Sequence, residues 1–187
     1  MKKIPTLYQR DPDDRRRVTD QVTPGCEWVL AGEGVPTRKY DGTCVMLDDD
    51  GHWWARREVK PGKTPPQDYQ AVEHDETTGK TVGWEPAHQS SFATFLWEAV
   101  GEATTSAGLA PGTYELVGPK INGNPEHWSR HMVVSHANAT RIYDVDPANS
   151  HFLITLCREW GWEGIVWRHP DGRMAKLKVR DYPEVGS

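Results

Sequence analysis

The chain has 187 residues and a formal net charge of −5, so it is long enough for one domain with a substantial core and is not globally basic. Binding to nucleic acid would therefore depend on a local basic groove and not on the charge of the whole protein. An apolar run of roughly 18 residues is missing, which argues against a membrane span. The three cysteines are odd in number and widely spaced, which argues against a disulfide framework and a CxxC metal site and fits a reducing cytosol.

Residues 1–25 are polar and charge-rich, and we expect an irregular N-terminal arm followed by one domain over residues 26–187. Residues 26–59 have a strand-like pattern, with a hairpin that turns at Asp48–Gly51. This acidic turn resembles part of a calcium loop, but the other ligand positions are missing, so turn chemistry is favoured. Residues 60–90 are rich in Pro, Gly and Thr and are predicted to form a long loop.

Two amphipathic helices are predicted after the loop. The first covers residues 92–103, and its apolar positions are Phe92, Phe95, Leu96, Ala99 and Val100. The second covers residues 147–160, and its inner stripe is Phe152, Leu153, Leu156, Cys157 and Trp160. Short strands are predicted at 114–117 and 132–134, and a final hairpin at 164–180. Strand pairs before and between two helices predict an α+β fold with a mostly antiparallel sheet.

The tetrapeptide Lys39-Tyr40-Asp41-Gly42 precedes an apolar strand and contains a possible lysine nucleophile. Attack on phosphorus requires the neutral amine, and burial and neighbouring cations lower the pKa of a lysine. Lys176 and Lys178 could supply such cations, because side chains two apart on a strand point to the same face. A nucleotide α-phosphate between these two lysines would offset their mutual repulsion, and they would stabilise the charge that develops during transfer.

Other residues could complete a nucleotide site. Glu163 lies at the start of the final hairpin, where a carboxylate could hold a divalent ion that bridges phosphate oxygens. Glu115 could accept hydrogen bonds from a ribose hydroxyl. Arg56 and Arg57 alternate in direction, so one of them at most can face the Lys39 site.

Each of these features also has a structural interpretation. Asp41-Gly42 is a common turn pair, and Lys176 and Lys178 could be edge-strand lysines that discourage aggregation. Glu163 could simply pair with one of those lysines. The ordered combination of all three segments is harder to explain in this way. His127 and His131 are four residues apart, but without a clear third ligand a polar surface is favoured over a zinc site.

The ordered segments resemble the covalent nucleotidyltransferase superfamily of ATP-dependent polynucleotide ligases and mRNA capping enzymes. Five segments resemble motifs of that superfamily. They are Lys39–Gly42 (motif I), Arg56 (motif Ia), Tyr114–Gly118 (motif III), Glu163–Val166 (motif IV) and Lys176–Lys178 (motif V). The match covers about residues 36–182. It implies an antiparallel-sheet, ATP-grasp-like catalytic domain. We expect this domain to lack an appended OB-fold, because the chain ends within ten residues of Lys178.

The resemblance assigns a role to each candidate residue. Lys39 would become nucleotidylated, with Lys176 and Lys178 as further catalytic residues. The nucleotide-binding residues would be Asp41, Gly42, Arg56, Glu115 and Glu163. Magnesium or manganese is implied as the metal and Glu163 as its ligand.

The continuation of motif I with Thr43-Cys44 is closer to RNA ligases than to DNA ligases, which usually have arginine at the position of Cys44. The segments at 39–44, 54–56 and 176–182 are most similar to a small 5′-to-3′ RNA ligase family. This resemblance implies that Lys39 attacks ATP and that AMP then passes to a 5′-phosphorylated RNA end. A 3′-hydroxyl finally displaces AMP and seals the strand.

The implied partner is RNA with 5′-phosphate and 3′-hydroxyl ends, with a further protein as a possible source of RNA specificity. Met132, His136 and Tyr143 remain open as the residue that stacks on adenine. Two other enzyme activities remain possible, a DNA-nick ligase and an mRNA-capping guanylyltransferase. A non-catalytic module that binds nucleotide or RNA ends is an alternative of another class.

Overall fold

The computed structural model describes residues 1–101 and 108–183. Antiparallel sheets dominate: 34% of the residues lie in strands and 16% in helices, so the expected α+β ligase-domain fold is wrong and the protein is β-rich. The reason is that two polar segments, 1–25 and 60–90, pair as strands, whereas the helices are short. None of the helices in the described part of the chain is long and apolar enough to cross a membrane.

The elements follow in chain order. The strands are β1 (Tyr8–Arg10), β2 (Val18–Val22), β3 (Val35–Lys39), β4 (Thr43–Leu47), β5 (Trp53–Val59), β6 (Gln70–Asp75), β7 (Lys80–Pro86), β8 (Gly112–Val117), β9 (Met132–Ser135), β10 (Gly164–Arg168) and β11 (Met174–Lys178). The helices are α1 (Glu27–Leu30), α2 (Ala93–Gly101) and α3 (Ser150–Glu159), with 3₁₀ turns at Ala87–Gln89 and Val179–Asp181.

The chain divides into two compact units. The first unit consists of Met1–Lys3 and Asp41–Asn138, and the second of Ile4–Tyr40 and Ala139–Ser187. The division expected at residue 25 stays a prediction.

The first unit contains a six-stranded antiparallel sheet in the order β6-β7-β5-β4-β8-β9. The hairpin predicted around Asp48–Gly51 is confirmed, since Val45 of β4 pairs with Ala55 of β5. The Asp48 carboxylate accepts hydrogen bonds from the backbone N–H of His52 and from the indole N–H of Trp54. This acidic segment therefore stabilises its own turn.

The long loop predicted over residues 60–90 is wrong, because β6 and β7 form a hairpin there. The hairpin turns where the Asp75 carboxylate accepts hydrogen bonds from the backbone N–H groups of Thr77 and Thr78, and Gly79 takes a φ of 65°. Polar residues along β6 hide the period-two pattern that marks a half-buried strand. Pairing of β7 with β5 stabilises the extended conformation of β7, which the local sequence does not indicate.

The core of the first unit lies between this sheet and α2. Leu96 and Val100 of α2 are buried, and Phe92, Phe95 and Ala99 pack against the same cluster. The interpretation of this helix face as core is thus confirmed, while its predicted end at residues 102–103 lies outside the described residues.

The second unit contains a three-stranded antiparallel sheet, β11-β10-β3, and the β1-β2 pair. The predicted final hairpin is confirmed by the pairing of Gly164 with Lys178 and of Arg168 with Met174. The irregular conformation expected for residues 1–25 is wrong: they contain β1 and β2, and both Leu7 and Tyr8 are buried.

The core of the second unit packs α1 and α3 against one face of the three-stranded sheet. Asn149 is the N-cap of α3, since its side chain accepts a hydrogen bond from the Phe152 N–H. The buried residues of this helix are Leu153, Ile154 and Cys157. The predicted inner stripe is wrong at its two ends, because Phe152 is 53% and Trp160 44% exposed.

Candidate functional site

The three predicted catalytic lysines lie on one face of the three-stranded sheet in the second unit. Lys39 is the last residue of β3, and Lys176 and Lys178 lie on β11. Gly164 of β10 pairs with Lys39 on one side and with Lys178 on the other, while Val166 pairs with Lys176. Paired residues point to the same side and side chains alternate along a strand, so the lysines share the face opposite the apolar core.

Gly164 keeps the space between Lys39 and Lys178 open. A Cβ atom at position 164 would lie 2.0 Å from the carbonyl oxygen of Leu177, which is far inside van der Waals contact. Any larger residue would force β10 and β11 apart. The glycine that follows Glu163 is therefore required by the close pairing of these strands.

Glu163 immediately precedes β10, and its carbonyl oxygen accepts a hydrogen bond from the Val179 N–H at 2.9 Å. Its carboxylate forms an ion pair with the Lys39 ammonium. The two side chains are 14% and 21% exposed. The contact fixes the end of the Lys39 side chain at the start of β10.

Lys176 is half-buried and has a lowered pKa. Burial is the first cause, followed by the charges of Lys178 and Lys39, and together they lower the pKa of Lys176 to about 8 from an ordinary value of 10.5. Among residues 1–101 and 108–183 no carboxylate forms an ion pair with its ammonium, although the charges of Glu163 and Asp181 partly offset the lowering of its pKa.

Lys178 has a protein partner that the sequence analysis missed. Its ammonium lies 3.8 Å from Asp181, and Arg10 reaches the same carboxylate oxygen at 2.9 Å. Burial lowers the pKa of Lys178, although the Asp181 charge opposes that effect. The strand ends at Lys178, and the following 3₁₀ turn brings Asp181 back beside it. In the sequence, the only sign of this contact is the three-residue spacing of Lys178 and Asp181.

The other predicted nucleotide-binding residues belong to the first unit. Glu115 is buried on β8, and its Oε1 accepts a hydrogen bond from the Gly42 N–H at 3.1 Å. A Cβ at Gly42 would lie 2.2 Å from the carbonyl oxygen of Leu116, so this approach requires glycine. Asp41 accepts a hydrogen bond from the Asn122 amide at 3.1 Å. Asp41 and Gly42 are thus held against side chains from distant parts of the sequence.

The side chains of Arg56 and Arg57 point to opposite faces of the sheet, as neighbouring residues on a strand do. Ala55 pairs with Val45, so the next residue, Arg56, points to the same face as Cys44 and Glu115. Arg57 points the other way, and its Nε lies 3.9 Å from Glu85. The Nε of Arg56 is buried, and among the described residues it has no hydrogen-bond partner. Arg56 is therefore the arginine that shares a face with Glu115.

The residues left open for adenine stacking do not resolve into one candidate. His136 is hydrogen-bonded to Thr113 and Glu115, Met132 lies on β9, and Tyr143 is 76% exposed. The ring of His131 stacks on Phe95 and bonds to the exposed Glu98 at 2.6 Å, and the preference for a polar surface over a zinc site at His127 and His131 stays a prediction.

Glu163 could hold a divalent metal only if substrate phosphate oxygens supplied further ligands. Within the described ranges, the clusters that could hold a metal on protein ligands are Cys44–Glu115–His136 and Asp48–Asp50–His52, and neither contains Glu163. Mg²⁺ commonly keeps several waters and is bound by one or two carboxylates plus substrate phosphates. A single carboxylate at the start of β10 fits that mode of binding.

Comparison with known proteins gave no matching family model and no matching curated protein.

Proposed function

We propose that the protein is an ATP-dependent RNA ligase that seals 5′-phosphate and 3′-hydroxyl RNA ends through a covalent lysyl-AMP intermediate. The observation that carries this proposal is the arrangement around Gly164. Lys39 and Lys178 flank that glycine on adjacent strands, Lys176 lies on the same face, and the Glu163 carboxylate contacts the Lys39 ammonium.

In the first step, the neutral amine of Lys39 attacks the α-phosphorus of ATP. A phosphorus–nitrogen bond forms, the bond to the pyrophosphate oxygen breaks, and the amine proton leaves to solvent. Lys176 suits the stabilisation of the α-phosphate because its ammonium is partly desolvated and lies on the same face as Lys39 and Lys178. Lys178 is held in place by Asp181 and adds a second positive charge on the same face.

Glu163 is the residue that would bind magnesium or manganese together with the ATP phosphates. When bound, the metal neutralises charge on the phosphate oxygens. In the absence of nucleotide, the same carboxylate holds the Lys39 side chain. Arg56, whose Nε is buried without a partner in the described chain, suits contact with an anionic group of the nucleotide.

In the later steps, AMP passes from Lys39 to the 5′-phosphate of RNA, and a 3′-hydroxyl displaces AMP to form the phosphodiester. Glu115, with Asp41 and Gly42 held near it, is assigned to the nucleoside. The Thr43-Cys44 sequence favours RNA over DNA as the substrate. The proposed location of the reaction is the reducing cytoplasm. An additional protein could supply specificity for a particular RNA.

The direct test is the intact mass of the purified protein after incubation with ATP and Mg²⁺ or Mn²⁺. We expect an added AMP that is absent from Lys39→Ala, since the nucleophile is lost. Lys63→Ala is the matched control, because Lys63 is an exposed lysine in a loop of the first unit. Glu163→Ala, Lys176→Ala and Lys178→Ala should each lose turnover while circular dichroism remains that of the wild type.

Three outcomes would contradict the proposal. Attachment of GMP from GTP with no AMP from ATP would favour a capping-type guanylyltransferase. Sealing of nicked DNA but not of RNA would favour a DNA ligase. Absence of any adenylate on folded wild-type protein with either metal would favour a non-catalytic module that binds nucleotide or RNA ends.

A further inference from the structure

We propose that Cys44, Glu115 and His136, all in the first unit, form a binding site for a thiophilic divalent cation such as Zn²⁺. A thiol sulfur, a carboxylate oxygen and an imidazole nitrogen from these residues all lie within 4.8 Å of one another. These are the three donor types that zinc prefers in proteins. Three protein ligands would leave the fourth tetrahedral position open to water or to another small ligand.

Strand register, and not local sequence spacing, builds this cluster. Cys44 of β4 pairs with Glu115 of β8, and Glu115 pairs on its other side with Val134 of β9. His136 lies two residues after Val134 and therefore on the same face of the sheet. Its backbone N–H donates to the carbonyl of Thr113, which extends the pairing by one step. Cys44 and Glu115 thus lie on paired strands, and His136 directly follows β9.

The hydrogen bonds around the cluster suit metal ligands. Nε2 of His136 faces Oε2 of Glu115 at 3.0 Å, and because two lone pairs repel, a proton or a metal cation must lie between them. Nδ1 of His136 bonds to Thr113 Oγ1 at 2.9 Å, while Oε1 of Glu115 accepts from Gly42. Such contacts to the second donor atom of His136 and of Glu115 are of the kind that orients metal-binding side chains.

The charges and the space also fit a dication. A thiolate and a carboxylate neutralise the charge of Zn²⁺, and Arg56 lies on the same face of the sheet. Ligand atoms around a tetrahedral zinc lie roughly 3.3–3.8 Å apart, so a pair at the 4.8 Å limit would have to approach by on the order of 1 Å.

The test is a Co²⁺ titration of the full, reduced protein without nucleotide, so that its result does not depend on the proposed ligase activity. We expect a thiolate-to-cobalt charge-transfer band in the near ultraviolet that saturates at equimolar Co²⁺ and is lost when Zn²⁺ is added. Cys44→Ser should abolish the band, and His136→Gln should weaken Co²⁺ binding at least about tenfold. His74→Gln should change neither, because His74 is an exposed histidine on β6.

The proposal would be overturned by wild-type protein that is folded by circular dichroism and gives no thiolate band. A band of equal strength in Cys44→Ser would also overturn it, since the metal would then bind at Cys26 or Cys157. Binding at Asp48–Asp50–His52 is distinguishable, because that group has no thiol and cannot produce the band.

Discussion

Lys176 illustrates how the surroundings of one side chain set its protonation. Its folded-state pKa of about 8 is below the ordinary 10.5, chiefly because of burial and then because of Lys178 and Lys39. Between these two values Lys176 binds more protons in the unfolded chain than in the folded protein. The unfavourable contribution of Lys176 to stability should therefore diminish as pH rises across this window.

Lys176→Met removes this linkage and is expected to be more stable than the wild type near pH 7. The advantage should be no more than about 3 kcal/mol and should shrink as the pH rises from about 8 toward 10.5. Urea unfolding at several pH values measures the difference between the two proteins. Lys63→Met, at an exposed lysine, should show no such trend. A constant difference for Lys176→Met would mean that Lys176 titrates normally in the folded state.

Arg56 and Arg57 provide a matched pair for the proposed nucleotide site. Arg56→Gln should slow adenylylation about 10- to 100-fold, as expected for the loss of a hydrogen bond between charged groups. Arg57→Gln should retain adenylylation, because Arg57 points to the opposite face toward Glu85. Rates of AMP attachment measured by mass spectrometry distinguish the two variants. Equal rates for both would remove Arg56 from the site.

At the level of elements, the end of β11 depends on a buried ionic contact. Lys178 and Asp181 are each 4% exposed, and Arg10 of β1 shares the same carboxylate. Asp181→Asn leaves the buried Lys178 charge unpaired and is expected to cost about 2–4 kcal/mol of stability. The free energy of unfolding in urea measures this loss.

The control for this prediction is Asp14→Asn. Asp14 pairs with Arg16 in an exposed turn, so its loss should leave the unfolding midpoint unchanged. If Asp181→Asn proves as stable as the wild type, Asp181 does not stabilise the end of β11, and Lys178 has no need of a protein counter-ion.

Elements with strong local signals were predictable, and elements that depend on long-range pairing were not. The hairpins at Asp48–Gly51 and at 164–178 combine apolar strands with Asp-Gly turns, and both are present. The β6-β7 hairpin carries polar residues on its outer strand, so periodicity did not reveal it. The α+β prediction is wrong for the same reason, since polar residues hide the strand pattern in segments 1–25 and 60–90.

In the candidate site, too, the features set by local spacing were predictable and those set by long-range pairing were not. The shared face of Lys176 and Lys178 follows from their spacing on one strand, but their position beside Lys39 depends on β3 pairing with β10, 125 residues further on by the Lys39–Gly164 register. The contact of Asp181 with Lys178 depends on where β11 ends. Cys44, Glu115 and His136 meet through the register of three strands, which no local pattern encodes.

For the whole molecule, 27 acidic and 22 basic residues give a protein that repels a polyanion at long range. Under the proposed function, RNA binding would depend on a few local cations, with Lys176 as a candidate. We therefore expect weak binding to single-stranded RNA, with the slope of log K against log salt near −2, equivalent to about two or three phosphate contacts.

This expectation can be measured with Lys39→Ala protein, which binds RNA without turnover under the proposed function. Fluorescence anisotropy of a 5′-phosphorylated single-stranded RNA between about 50 and 200 mM salt gives the slope. Adding Lys176→Gln should reduce the slope by about 0.7, the value for one phosphate contact on a single strand, whereas adding Lys63→Gln should leave it unchanged. A slope that Lys176→Gln does not alter would show that RNA is held by a different surface, because the loss of a phosphate contact must release fewer counterions.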